Sequence, residues 1–170
     1  MKKNLVPCLV LVSLTVGYGL MVMAGAPQLP ERVAIHFGTL GRANGWTGRD
    51  QAAMFFEALT VVPVIFLVLA TAMHVLPAGL FNLPHRDYWL APERREETVA
   101  TVSRQLIWMA CLMTLFLAGI FWLTVIANRL APPRLPMDWF VLLLIAFLGS
   151  TAVWTILLIA RFSKIPRQEK

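Results

Sequence analysis

The chain has 170 residues, of which 58% are hydrophobic and 14% are charged, and its formal net charge is +6. Soluble globular proteins average roughly 45 to 50% apolar and about 25% charged residues, so this composition excludes the ordinary soluble class and indicates a membrane protein. The positive charge lies in short connections between apolar segments, which is typical of membrane topology, and no nucleic-acid partner is predicted.

Four apolar segments are each long enough to cross the hydrocarbon core of a bilayer, which takes about 20 residues. They predict an all-α, polytopic integral membrane protein of one domain, with four transmembrane helices in a bundle. The segments are Leu5 to Met23, Ala52 to Leu76, Leu106 to Ala127 and Trp139 to Ala160.

The first apolar segment has two interpretations. Lys2 and Lys3 precede it and Ala24-Gly25-Ala26 follows it, as in a cleavable signal peptide. However, the segment is longer than the ~7 to 15 residues of a signal core, and Pro27 directly after the candidate site would hinder cleavage. We therefore expect it to remain as a transmembrane helix.

The first connection, Ala24 to Gln51, is rich in turn-forming, aromatic and basic residues, which predicts an ordered external loop between helices 1 and 2. Residues that favour strands alternate with others from Arg32 to Phe37, so a short strand is predicted there. Asn44-Gly45 predicts a tight turn, beside which Trp46 can lie at the headgroup level.

This loop supplies the first set of candidate binding residues, because Arg and Trp dominate the energetics of many protein interfaces. His36 has several interpretations: a metal ligand, a structural hydrogen bond within the loop, or a pH sensor. No metal is predicted, because neither a second His nor a Cys lies near it. The candidates in the loop are Arg32, His36, Phe37, Asn44, Trp46 and Arg49.

The second span carries Glu57 near one end, and an acid within a span is a candidate for ion or ligand contact. The alternative is a structural ion pair with Arg49 or Arg32, since Glu57 lies only about 9 Å along a helix from Gln51 at ~1.5 Å per residue. Pro63 removes one backbone donor inside this span, so the helix is predicted to kink.

The second connection, Pro77 to Gln105, contains a polar and aromatic segment followed by a helix start. Pro92 with acids after it fits the first turn of a helix, which is predicted to continue into the third span. The segment before Pro92 is either a binding epitope or an elbow at the membrane interface, with its aromatic rings in the headgroup belt. The motif residues are Asn82, Pro84, Arg86, Tyr88, Trp89, Glu93 and Arg94.

No sequence motif predicts catalysis or a disulfide bond. A nucleophile elbow, H-E-x-x-H, a phosphate loop, C-x-x-C and a dinucleotide fingerprint are all missing, so neither enzyme activity nor a cofactor is predicted. Cys8 and Cys111 fall inside spans, where they are expected to behave as small apolar residues and not to form a disulfide. The third connection, Asn128 to Asp138, holds three prolines and is expected only to join two helices.

The two motif-bearing loops resemble a bacterial membrane domain-of-unknown-function family, family 1648, which is the family of the Sdp toxin immunity protein. The inner stretch from Asn82 to Glu96 resembles one branch of it, and the resemblance covers about the first 100 residues. It implies a multi-span inner-membrane protein and, in the typifying member, resistance to a secreted peptide toxin. The outer-loop residues that match the pattern of this family are Leu29, Pro30, Arg32, Val33, His36, Phe37, Gly41, Gly45 and Trp46, and Arg49 stands where the pattern has a lysine. The residues that differ from the pattern are Ala34, Gly38, Ala43 and Asn44.

The leading hypothesis is a binding protein of the bacterial cytoplasmic membrane that contacts the lipid bilayer and meets an external peptide or protein through its outer loop. Two alternatives stay open: a small ion-coupled transport protein built around Glu57, and a structural subunit with a membrane-protein partner. Glu57 in the interior would favour transport, whereas an exposed stripe of small residues would favour a subunit.

The distribution of Lys and Arg predicts the orientation, because positive charge is retained on the cytoplasmic side. Of the 15 such residues, ten lie in the two termini and the second connection, and five lie in the first and third connections. Reporters fused after Lys170 and inserted near Pro84 are expected to report cytoplasm, and one at Gly41 the exterior. Opposite sides for the first two would refute this topology, and a mature N-terminus at Pro27 would identify the first segment as a signal peptide.

Overall fold

The structure, a computed structural model, describes residues 4–165 and is mostly helical. Four helical segments in this range are long and apolar enough to cross a membrane, which supports the predicted multi-pass class. Four of the charges used for the topology, Lys2, Lys3, Arg167 and Lys170, lie outside the described residues. The spanning segments are Leu5–Gln28, Arg49–Ala72, Pro92–Asn128 and Met137–Phe162.

Six helices and one hairpin make up the described chain. A two-stranded antiparallel hairpin is the departure from an all-α fold. A short 3₁₀ turn at Ala26–Gln28 ends the first span, and another at Ala78–Leu80 follows the second. In chain order the elements are α1 (Leu5–Gly25), β1 (Arg32–Phe37), β2 (Ala43–Gly48), α2 (Arg49–Ala58), α3 (Val61–Ala72), α4 (Arg86–Trp89), α5 (Pro92–Asn128) and α6 (Met137–Phe162).

The second span is broken into α2 and α3 at Leu59 and Thr60, just before Pro63. Pro63 has no N–H to donate to the Leu59 carbonyl, and its ring would clash with that carbonyl in a straight helix. The N–H of Val62 donates to the Leu59 carbonyl instead, at 3.1 Å. The predicted kink is therefore present as a break, and the helix ends at Ala72 and not at Leu76 as predicted.

Helix α5 is the element around which the others are arranged. It begins at Pro92, as predicted, and continues without interruption for 37 residues. At ~1.5 Å per residue this is about 55 Å, well beyond the ~30 Å of a hydrocarbon core. Helices α1, α3 and α6 make their most extensive helix contacts with α5.

Apolar clusters fill the contacts with α5, and two of them also include residues of α1. One joins α1, the hairpin, α2 and α5; in it Phe56 meets Phe121 edge to face at 5.0 Å, and the Tyr18 hydroxyl donates to the Phe56 carbonyl at 2.7 Å. The other lies between α1, α3 and α5, and includes Cys111. Cys8 and Cys111 are free thiols, as predicted.

Helix α6 lies on the outside of α5. None of its most apolar stretch is buried, although Leu143 packs so closely on Gly119 that a Cβ there would lie 2.7 Å from Leu143 Cδ2. Phe116 of α5 and Phe147 of α6 stack with their ring centroids 4.3 Å apart. Many of the large apolar side chains of α6 are exposed, and these suit contact with lipid.

The predicted strand from Arg32 to Phe37 is confirmed as β1, which pairs with β2. The predicted turn at Asn44-Gly45 is wrong, because both residues lie within β2. The chain instead turns before β2, where Gly41 has a φ of +74° and the Gly38 N–H donates to the Arg42 carbonyl at 2.9 Å. Gly45 serves close packing, since a Cβ there would lie 2.7 Å from the Cβ of His36.

The hairpin is fastened to the end of α5 by the buried side chain of Asn128. The Ala34 N–H donates to Asn128 Oδ1 at 2.7 Å, and Asn128 Nδ2 donates to the Ala34 carbonyl at 2.9 Å. Asn128 Nδ2 also donates to the Thr124 carbonyl at 2.9 Å. The amide thus takes the place of a neighbouring strand along the edge of β1 that faces away from β2.

The third connection does more than join two helices. The Leu135 N–H donates to the Gly41 carbonyl at 2.8 Å, and Arg134 pairs with Arg42 in an antiparallel bridge. The side chain of Arg129 donates to that of Gln28. The sequence-based expectation missed these contacts, because each joins segments far apart in the chain.

We expect Asn128→Leu to lower the thermal stability of the protein in detergent. The change keeps the approximate side-chain volume but leaves the N–H and carbonyl of Ala34 buried without partners, at a cost of about 1–3 kcal/mol for each. Asn128→Asp, which can accept from the Ala34 N–H but cannot donate to its carbonyl when ionised, should also destabilise. Melting temperature and hydrogen exchange at the Ala34 amide are the measurements.

Asn82→Leu is the matched control, since Asn82 is exposed and the same change there removes no buried hydrogen bond. If Asn128→Leu melts at the wild-type temperature and the hairpin amides exchange no faster, the hairpin does not depend on this side chain.

Candidate functional site

The first predicted site residues lie together on the hairpin. The guanidinium of Arg32 lies over the Trp46 ring, with its central carbon 5.1 Å from the ring centroid. Arg32 is paired with Gly48 and Ala34 with Trp46, so Arg32 reaches the indole diagonally across the two strands. A cation at this distance from an aromatic ring is attracted by about 0.5–1 kcal/mol at an exposed site.

His36 and Asn44 form the second contact on the hairpin. The ring nitrogen Nδ1 of His36 lies 2.5 Å from Asn44 Oδ1, at the place where the strand pairing shifts register. This is a hydrogen bond within the loop, one of the roles expected for His36. Phe37 lies opposite Ala43 and is half-buried, and no group of three potential metal ligands occurs within residues 4–165.

The hairpin passes directly into α2, and Gln51 fixes this junction. Its Oε1 accepts the Gly48 N–H at 3.1 Å and the Thr47 hydroxyl at 2.8 Å. The N–H of Arg49, the first residue of α2, donates to the Glu31 carbonyl at 3.0 Å. The side chain of Gln51 thus satisfies one of the free donors at the helix start, as in half of a capping box.

Arg49 and Glu57 line an open depression between the end of α1 and the start of α2. Glu57 is exposed, and the one ion pair within the part of the chain that the structure describes joins Arg86 and Asp87. The pairing of Glu57 with Arg49 or Arg32 is therefore not formed. Nor does Glu57 lie in the interior, the position that would favour ion transport.

The second motif is built into an elbow between α4, α5 and α6. Arg94 lies over the Tyr88 ring, 3.9 Å from its centroid, and its Nε donates to the Tyr88 carbonyl at 3.0 Å. The indole N–H of Trp89 donates to the Phe162 carbonyl at 2.8 Å, and the two rings meet edge to face at 5.3 Å. The polar groups of Trp89 and Arg94 are therefore occupied within the fold.

The other motif residues of this elbow contribute little to a site. Arg86 contacts only the neighbouring Asp87 as an ion pair, at 3.5 Å, and both side chains are exposed. Pro84 is half-buried, and Asn82 and Glu93 are exposed. The geometry favours the structural elbow over the binding epitope that the sequence also allowed.

Two residues that fix the site were missed by sequence reasoning. Asn128 stands at the end of an apolar span, where an unpartnered amide would be costly, so its polarity was a usable signal. Gln51 stands three residues after Gly48, the spacing of a capping box. In both cases the partner could not be named from the sequence, since Asn128 bonds a residue 94 positions away.

Comparison with known proteins gives one match. No curated protein and no solved structure matches the chain. A family model does match residues 11–67, which cover most of α1, the whole hairpin, α2 and part of α3. The inner elbow lies outside this segment. Residues 11–67, which contain the hairpin site, thus match the family described as Domain of unknown function (DUF1648).

Proposed function

We propose that this is a multi-pass protein of the bacterial cytoplasmic membrane that recognises an external peptide or protein through the hairpin β1–β2. The observation that carries the proposal is the combination of a fixed backbone with exposed side chains. Asn128 fastens β1 to α5 while Arg32, His36 and Trp46 stay on the exposed surface. A rigid surface loses little conformational entropy when it binds.

The chemistry of this surface suits a polypeptide that is both apolar and acidic. Trp46 is 39% exposed and offers an aromatic face, and Arg32 beside it offers guanidinium donors for a carboxylate. Arg and Trp are the residue types that contribute most in many protein interfaces. The resemblance to the Sdp immunity family adds a specific version of the proposal, in which the partner is a secreted peptide toxin.

The exposed surface of α6 supports a second candidate, a structural subunit of a larger membrane complex. Its most apolar stretch has no buried residue, and a Cβ added at Gly149 would meet nothing within 4 Å. Lipid or another membrane helix could cover this surface equally well on chemical grounds. The experiment below separates this candidate from recognition by the hairpin.

We expect Trp46→Ala and Arg32→Ala to reduce partner capture by at least about tenfold, which corresponds to a loss of ~1.4 kcal/mol of binding free energy. Capture is measured by cross-linking on intact bacteria, purification in mild detergent and quantitative mass spectrometry. In a toxin-exposed strain, the same variants should lose protection. Membrane insertion, abundance and melting temperature should remain near wild type, because neither side chain holds the hairpin on α5.

Arg86→Ala and Tyr88→Ala in the elbow are the controls, an arginine and an aromatic residue changed to alanine on the other motif, and they should retain capture. If the hairpin variants capture the same partner as wild type, recognition by this surface is refuted. If only Glu57→Gln abolished protection, the result would favour an ion-coupled transport protein. If the partner were no longer captured only after substitutions on α6, the result would favour a structural subunit.

A further inference from the structure

Two arginines stand directly opposite each other where the third connection joins the hairpin. Arg42 and Arg134 are partners in an antiparallel bridge. The Leu135 N–H donates to the Gly41 carbonyl at 2.8 Å and fixes this register. The backbones approach so closely that a Cβ on Gly41 would lie 2.5 Å from the Leu135 carbonyl oxygen.

This pairing places two positive charges side by side. Directly opposite residues of an antiparallel pair share a face and have Cβ atoms about 4.5–5.5 Å apart, and like charges there are destabilising. Both side chains are exposed. Within residues 4–165 neither lies within ion-pair distance of a carboxylate, including that of Asp138 in the first turn of α6. The fold therefore places two arginine side chains next to each other on one face, and no carboxylate of residues 4–165 pairs with either of them.

A phosphate group is the ligand that two adjacent guanidinium groups fit best. Each guanidinium presents a planar fork of N–H donors that matches two phosphate oxygens, and Arg–phosphate hydrogen bonds are charge-assisted and short. A phosphate dianion or a phosphodiester would also remove the repulsion between the arginines. A single carboxylate offers only two oxygens to the two forks.

The position of Arg42 and Arg134 in the fold favours a location at the depth of the lipid headgroups. It lies where α5 ends and α6 begins, and large apolar side chains around it are exposed: Leu40 by 64%, Leu130 by 48% and Trp139 by 60%. Exposed Trp at the end of a spanning helix is typical of the interface between hydrocarbon and water. Phosphate groups of the bilayer lie at that level.

We propose that Arg42 and Arg134 form a binding site for a phosphate group, supplied by a phospholipid headgroup or by a free phosphate. The site goes beyond recognition by the hairpin, because it requires none of Arg32, His36 or Trp46. It ties the hairpin and the third connection to the same anion.

The test uses the full chain purified in a mild detergent free of phosphate groups. The two probes are a short-chain phosphatidylglycerol and inorganic phosphate, each titrated while the melting temperature and the binding heat are measured. The variants are Arg42→Gln and Arg134→Gln. Arg129→Gln is the matched control, since Arg129 is an exposed arginine of the same connection and donates to Gln28.

We expect binding to weaken about tenfold or more in Arg42→Gln and Arg134→Gln, the effect of losing one charge-assisted hydrogen bond, and less than about twofold in Arg129→Gln. Without any probe, the first two variants should melt at or above the wild-type temperature, because they relieve repulsion. A response to the lipid alone assigns the phosphate to a headgroup, and an equal response to inorganic phosphate assigns it to the free anion.

Three results would overturn the proposal. The first is the absence of binding of either probe to wild type. The second is an equal loss in Arg129→Gln, which would show a response to overall charge. The third is a lower melting temperature of Arg42→Gln and Arg134→Gln without any probe, since the repulsion between the two arginines would then be absent.

Discussion

One buried amide, the side chain of Asn128, holds the hairpin on the helical part of the protein. A strand edge next to a membrane has no neighbouring strand to satisfy its backbone groups, and each unsatisfied group there is costly. Asn128 supplies both a donor and an acceptor to Ala34, and it does so from the last turn of the helix that α1, α3 and α6 all contact. This attachment fixes β1 on α5, and the contacts of Leu135 with Gly41 and of Arg49 with Glu31 hold the two ends of the hairpin.

The same helix organises both motif-bearing loops, at its two ends. Its last turn carries Asn128, and its first turns carry Arg94, which binds Tyr88, and Thr98, whose hydroxyl donates to the Trp89 carbonyl at 2.8 Å. The two ends differ in what they leave free. At the elbow Tyr88, Trp89 and Arg94 make their contacts within the fold, whereas on the hairpin Arg32 and Trp46 contact each other and remain exposed.

The features that the sequence predicted correctly depend on local properties. The apolar segments, the strand from Arg32 to Phe37 and the helix start at Pro92 follow from composition, alternation and the fixed φ of proline. The break before Pro63 also follows from a local property, the missing N–H of proline. Its exact place depends on the N–H of Val62, which donates to the Leu59 carbonyl.

The features that the sequence did not predict depend on contacts between distant segments. Asn44-Gly45 has the composition of a tight turn, but Gly45 is needed against His36, and Gly41 supplies the positive φ. The third connection pairs with the hairpin through Leu135, more than 90 residues from Gly41 in the chain. The candidate hairpin residues could be named from composition, but the means by which they are held could not.

The segment 11–67 is a unit of sequence and not a unit of folding. It contains β1, but the amide that completes the free edge of β1 lies at Asn128, and the backbone that meets Gly41 lies at Leu135. A peptide of this segment alone would expose that edge to whatever strand or water it met. In this chain the segment therefore takes part of its stability from residues that lie more than 60 positions after it, so its boundaries in sequence are not the boundaries of the structure that holds it.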